Sequence, residues 1–244
     1  MDAFSTIVEF FQSGGVFMYP IVAVLVLGAG IATERWLYLA GARLSNRRAW
    51  AKLEPLLQDG QFRQAGEMAA KSKTALAGII AYGIHRVRAR AGQAEIEMAM
   101  EEGMMELVPR LEKRTHYLAT FANIATLLGL LGTIIGLIEA FTAVSTANPA
   151  EKADLLSASI SVAMNTTAFG LMVGIPLLLV HSVLQARTTE LVDSLEMVSV
   201  KFVNLVSQSR REAAARVAAS TPRRGAAQGG QANLRNAAAA AGSR

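Results

Sequence analysis

The chain has 244 residues, 52% hydrophobic and 18% charged, with 24 Lys and Arg against 19 Asp and Glu for a net charge of +5. Soluble domains average about 25% charged residues, so this balance points to a protein that meets lipid. There is no cysteine, and the three histidines, His85, His116 and His181, share no metal-ligand spacing, which excludes disulfide scaffolds, Cys-ligated zinc and thiol nucleophiles.

Residues 1–15 carry Asp2 and Glu9 but no Lys or Arg. A cleaved leader needs a basic start, so the apolar run that follows, Val16 to Thr33, is expected to be retained as a membrane span. Glu34 and Arg35 close that run, and the first transmembrane segment is placed at 16–42. Residues 43–116 are expected to be helical almost throughout. Trp50 to Gln58 and Phe62 to Lys71 flank an Asp59-Gly60 turn, and from Glu95 onward Ile96, Met100, Met104, Leu107 and Leu111 recur at helical spacing. No strong breaker precedes the next span, so one long helix is predicted to run into it, kinked at Pro109.

The second span, 117–144, holds a single carboxylate, Glu139, and the third, 155–186, holds only His181 as an ionisable group. The loop 145–154 turns at Asn148-Pro149, so the two spans form an antiparallel hairpin. Leu191, Leu195, Val198, Phe202 and Leu205 continue the third span as a helix over 187–209. Residues 210–244, rich in Arg, Ala and Gly with almost no large apolar side chain, read as a disordered tail.

Lys and Arg are distributed very unevenly. Residues 43–116 hold thirteen and residues 187–244 hold nine, against one in the 145–154 loop and none in residues 1–15. By the positive-inside rule the N-terminus faces out and the C-terminus faces the cytoplasm. The basic surplus is thus a topology signal and, without interleaved aromatics, not a nucleic-acid footprint. The fold class is an all-α membrane protein: three transmembrane helices with long helical extensions into the cytoplasm.

Within the spans, polar groups and glycines mark the faces that meet other helices or a water path. Gly129, Gly132, Thr133 and Gly136 share one side of the second span at spacings of three and four, extended by Thr126 and Ala140. In the third, Ser157, Ser161 and Asn165 form a polar row, and Ala163, Thr167, Gly170 and Gly174 a small-residue face beside Thr166. Pro176 removes one backbone hydrogen bond and is expected to bend that helix. Close helix packing alone accounts for either stripe; two such stripes in adjacent spans also suit an ion path. Glu139 is read as an interfacial anchor or as part of an ion access path, and no carboxylate lies in mid-membrane. Any titrating acid there must come from a second protein.

LLGLLGTIIGLIEAF (Leu127 to Phe141) and NTTAFGLMVGIP (Asn165 to Pro176) resemble the second- and third-span signatures of the MotA/TolQ/ExbB proton-channel family, in its TolQ and ExbB branch. The resemblance covers about residues 1–208. It implies an inner-membrane homopentamer around the single transmembrane helices of an ExbD- or TolR-like partner dimer, which supplies the membrane aspartate. Thr133 and Thr167 would line the proton path, the pentamer would rotate about the dimer, and work would pass outward, with a TonB- or TolA-like transducer beyond it. No cofactor or metal is implied. The sequence departs from the family at Val162, where many members carry a glutamate. Ser161, Asn165, Thr166 and Thr167 offer hard oxygen ligands, so sodium coupling is the variant reading. A passive structural or adaptor protein is the competing class; an enzyme would need a nucleophile, base or metal set at one depth, which the sequence does not show.

Overall fold

The computed structural model describes residues 11 and 14–220. They form six helices: α1 (Met18–Gln58), α2 (Phe62–Lys71), α3 (Ala75–Arg88), α4 (Gln93–Glu112), α5 (Thr115–Thr146) and α6 (Lys152–Ser220). Most of the N-terminal segment 1–15 lies outside the described residues, as does the tail beyond Ser220. Three stretches are long and apolar enough to cross a membrane: Met18–Gln58, Gln93–Thr146 and Lys152–Ala219. Along them Leu27, Phe141 and Leu179 stay 57%, 64% and 64% exposed. An apolar surface of that extent is stable only against lipid or other helices. The protein is a multi-pass all-α membrane protein.

The first span and the expected helix at Trp50 to Gln58 are one 41-residue helix, α1. It stops where the sequence places a turn. Gly60 takes φ 71°, the amide of Gln61 donates to the Leu56 carbonyl at 2.8 Å, and that of Gly60 to Leu57 at 3.2 Å. This double bond pattern satisfies carbonyls the helix end would otherwise orphan, and the left-handed residue between suits glycine. α2 has the expected bounds.

The long helix expected to run from Glu95 into the second span is instead two, α4 and α5, separated at Lys113 and Arg114. Pro109 lies inside the last turn of α4, and the break falls beyond it, where Arg114 adopts φ 69°. Two neighbouring α1 residues hold it. The buried Arg35 guanidinium donates to the Leu111 carbonyl, capping the end of α4, and Glu34 pairs with Arg114 at 2.6 Å. A tertiary contact thus overrides local propensity. Replacing Arg35 with Ala should cost about 2–4 kcal/mol, because it leaves a buried carbonyl unpartnered. Arg43→Ala, which breaks only the exposed pair with Glu190, should cost about 1 kcal/mol or less. Melting of both variants in detergent checks this; equal midpoints would refute the capping role.

α2, α3 and α4 close a lobe around the far ends of α1 and α6. Ile79, Ile80, Ile84, Met100 and Phe202 are buried there in one cluster that runs continuously to Ile21. Gly83 lets these elements pack closely: a Cβ would sit 2.3 Å from Met100 Sδ and 2.5 Å from Phe202 Cε1, so both side chains would have to shift. α6 runs 69 residues through Pro176 without interruption. It also absorbs Arg210 to Ser220, expected in the disordered tail. That stretch is mostly Ala, Arg and Glu, strong helix formers, and Gln208 bonds to Glu212 one turn on at 2.9 Å.

Candidate functional site

α5 and α6 pack antiparallel, and their small residues are what let them touch. A Cβ on Gly170 would lie 2.7 Å from the Ala125 carbonyl oxygen and 3.0 Å from Gly129 Cα; one on Gly129 would meet Gly170 Cα at 3.2 Å. Further along, Gly136 faces Ala163, with 3.0 Å to its Cβ, and Gly174 faces Thr126 Oγ1 at 2.6 Å. The seam is backbone against backbone. Gly132 turns toward a three-way junction, where a Cβ would strike Thr166 Cγ2 and approach Phe17 at 3.4 Å.

At the edge of this seam the helices bring Thr133 and Thr167 together, and their hydroxyls are hydrogen-bonded to each other. Thr167 also donates to the Gly129 carbonyl at 2.9 Å, and Thr133 lies 3.3 Å from Gly129 O and 3.4 Å from Ala163 O. Both side chains are half-buried. Each hydroxyl has one proton to give and two lone pairs; as bonded here both protons are used within the chain, so the pair accepts from a protonated carboxyl on its open side and donates to a carboxylate by exchanging one of these internal bonds.

The remaining expected residues divide. Asn165 is half-buried and Ser161 exposed on the adjoining face of α6, with Ser157 exposed one turn earlier. Val162 is 36% exposed and lies 3.2 Å from where a Cβ on Gly15 would stand. Thr166 is buried and turns away from the pair, its one hydroxyl proton shared between the Gly14 carbonyl ahead of α1 and Val162 O at 2.9 Å. Glu139 is exposed six residues beyond Thr133, roughly 9 Å along the axis, and makes no ion pair among the described residues. Pro176 lies nine residues from Thr167, roughly 14 Å, and is exposed. The structure therefore joins Thr133, Thr167 and the glycines, and leaves Glu139 and Pro176 apart from them. The contact of Thr166 with the segment before α1 had no signal in the sequence.

A family model described as the MotA/TolQ/ExbB proton channel family matches residues 71–197, just over half of the chain and including both signature stretches. The chain is 29% identical over 200 residues to a putative biopolymer transport protein ExbB homolog of Methanothermobacter thermautotrophicus, covering 81% of this chain and 70% of that one. It is 28% identical over 186 residues to a putative biopolymer transport protein ExbB-like 1 of Synechocystis, covering 75% and 72%. A shorter match, 35% over 89 residues, covers 36% of this chain and 39% of the Tol-Pal system protein TolQ of Haemophilus influenzae. With a threonine pair set on a glycine seam in the matched region, the chain belongs to the MotA/TolQ/ExbB proton channel family, in its TolQ- and ExbB-like branch.

Proposed function

We propose that this energy-transduction subunit assembles as an inner-membrane homopentamer around an ExbD- or TolR-like dimer, with its N-terminus periplasmic and its C-terminus cytoplasmic. The partner's membrane aspartate carries the proton. Thr133 and Thr167 present their hydroxyls to it, and each protonation cycle turns the pentamer against the dimer. The observation that carries this reading is the half-buried threonine pair: two hydroxyls from two helices at one depth, flanked by Ser161 and Asn165, with no carboxylate beside them among the described residues. A site that can bond to both forms of a carboxyl, with none beside it among the described residues, fits an acid supplied from outside.

A second reading has its own support. Gly129, Gly136, Gly170 and Gly174 all serve the α5–α6 contact, and the two threonines bond within the chain, so the same residues would suit a non-conducting scaffold. The oxygen-only surroundings also suit sodium in place of protons. The complex reconstituted in vesicles separates these. A pH-sensitive dye inside should report flux that requires the partner and disappears when its aspartate becomes asparagine, and native mass spectrometry should give five copies with two of the partner. Dye response unaltered by the asparagine, or a monomer with no partner, defeats the proposal. Flux that follows a sodium gradient under a protonophore selects the sodium form.

A further inference from the structure

Thr166 is 2% exposed, and its two branches have different partners. The hydroxyl reaches out of its own helix to the Gly14 carbonyl, 152 residues earlier in the chain, while Cγ2 lies where a Cβ on Gly132 of α5 would strike it. The turn that supplies Gly14 is seated on the helices around it. Gly14 is buried, and Gly15 takes φ 71°, the left-handed conformation that glycine adopts without strain. A Cβ on Gly15 would stand 3.2 Å from Val162 Cγ1. Phe11 closes edge-on against Tyr19 of α1 at 5.4 Å and Phe169 of α6 at 6.2 Å, and Met18 is fully buried.

Thr166 and Thr167 are successive residues of one helix, so their side chains leave its axis about 100° apart. Whatever fixes the direction of one fixes the direction of the other. On the α5 side the glycine seam lets the backbones touch, but glycines carry no side chains to interlock and so set the distance between the helices better than their rotation. The bond from Thr166 to Gly14 is directional, and it acts at the same level of α6 as the threonine pair.

We propose that Thr166 is a positioning residue for ion transfer: held on Gly14, the turn ahead of α1 fixes the rotation of α6 about its axis, and with it the direction in which Thr167 presents its hydroxyl. This rests on the reading of the threonine pair as the ion path. Thr166→Val keeps Cγ2 and removes the hydroxyl; Thr166→Ser keeps the hydroxyl and removes Cγ2. Measured as vesicle acidification per assembled complex, Thr166→Val should lose about ten-fold in flux, within the roughly hundred-fold that a 1 Å misplacement can cost. Thr166→Ser should stay within about two-fold of the parent, although it gives up the packing against Gly132. Gly15→Ala disturbs the same contact from outside α6 and should also lower flux, and combining it with Thr166→Val should do no further harm, because both act through one bond. Gly30→Ala, where a Cβ meets nothing within 4 Å, should match the parent. Parent-like flux in Thr166→Val or Gly15→Ala overturns the proposal, as does a double variant whose loss is the product of the two single losses. A loss in Thr166→Ser equal to that in Thr166→Val assigns the residue to packing and overturns it as well. Thr133→Val, run alongside, separates the two readings: if it abolishes flux while Thr166→Val does not, the positioning role alone falls, and if it too is parent-like, the ion path through the threonines falls with it.

Discussion

Thr133→Val and Thr167→Val should each abolish proton flux through the assembled complex without disturbing its assembly. Valine keeps the branched shape of threonine and removes only the hydroxyl. Hydrogen bonds between membrane helices are worth on average about 0.6 kcal/mol and at most about 1.7, so losing the Thr133–Thr167 bond cannot by itself separate α5 from α6. Their contact rests on Gly129 and Gly170. A purely structural pair would therefore tolerate valine with small loss of stability and unchanged work output. Thr→Ser at either position should retain much of the flux, since it keeps the proton and both lone pairs. If the two hydroxyls act as a unit, the double valine variant should be no worse than either single one. Vesicle acidification rates on complexes of verified stoichiometry make the test, and parent-like rates in both valine variants would remove the pair from the ion path.

Gly170→Leu should have the largest effect on stability. Even a Cβ at that position meets the Ala125 carbonyl oxygen at 2.7 Å and Gly129 Cα at 3.0 Å. These are backbone atoms of a helix and cannot swing aside as a side chain would. Lipid gives no hydrophobic drive for two helices to associate, so close backbone approach is most of what holds them. Prying the seam open should cost about 3 kcal/mol or more, seen as a lower melting midpoint and faster proteolysis of the 145–154 loop. Gly30 is the control, because a Cβ there meets nothing within 4 Å. Gly30→Ala should be neutral or stabilise by up to about 1 kcal/mol through helix propensity. Equal melting of Gly170→Leu and the parent would show that the seam does not hold the hairpin.

Lipid imposes a length requirement that can be read directly, which is why the three spans were legible from Val16 to Thr33 and from the two runs that follow. The Asp59-Gly60 turn was legible for a similar reason, since the left-handed conformation of Gly60 is written into its residue type. Periodicity also placed Gly129 and Gly170 on contact faces. What periodicity lacks is the identity of the neighbour: nothing in the spacing says that the two stripes meet each other, or that Thr166 turns aside to the Gly14 carbonyl. The break at Lys113 and Arg114 was hidden for the same reason. Its cause is Glu34 and Arg35, some eighty residues away, which the sequence presents only as the charged end of a span. Arg210 to Ser220 were misread because composition that cannot bury a core can still extend a helix already begun.

One consequence follows from α6 being unbroken. Its 69 residues amount to a rod of roughly 100 Å, and from Thr167 to Ser220 the arm is roughly 80 Å. A tilt of about one degree at the level of the threonines therefore carries the far end through roughly 1.4 Å. The buried cluster around Phe202 and Gly83 clamps that arm to α3 and α4, so the whole lobe is displaced with it. Motion too small to resolve at the threonines becomes, at the distant end, a displacement of about one covalent bond length. A spectroscopic label on Arg216 is accordingly a more sensitive gauge of such a tilt than one beside Thr167.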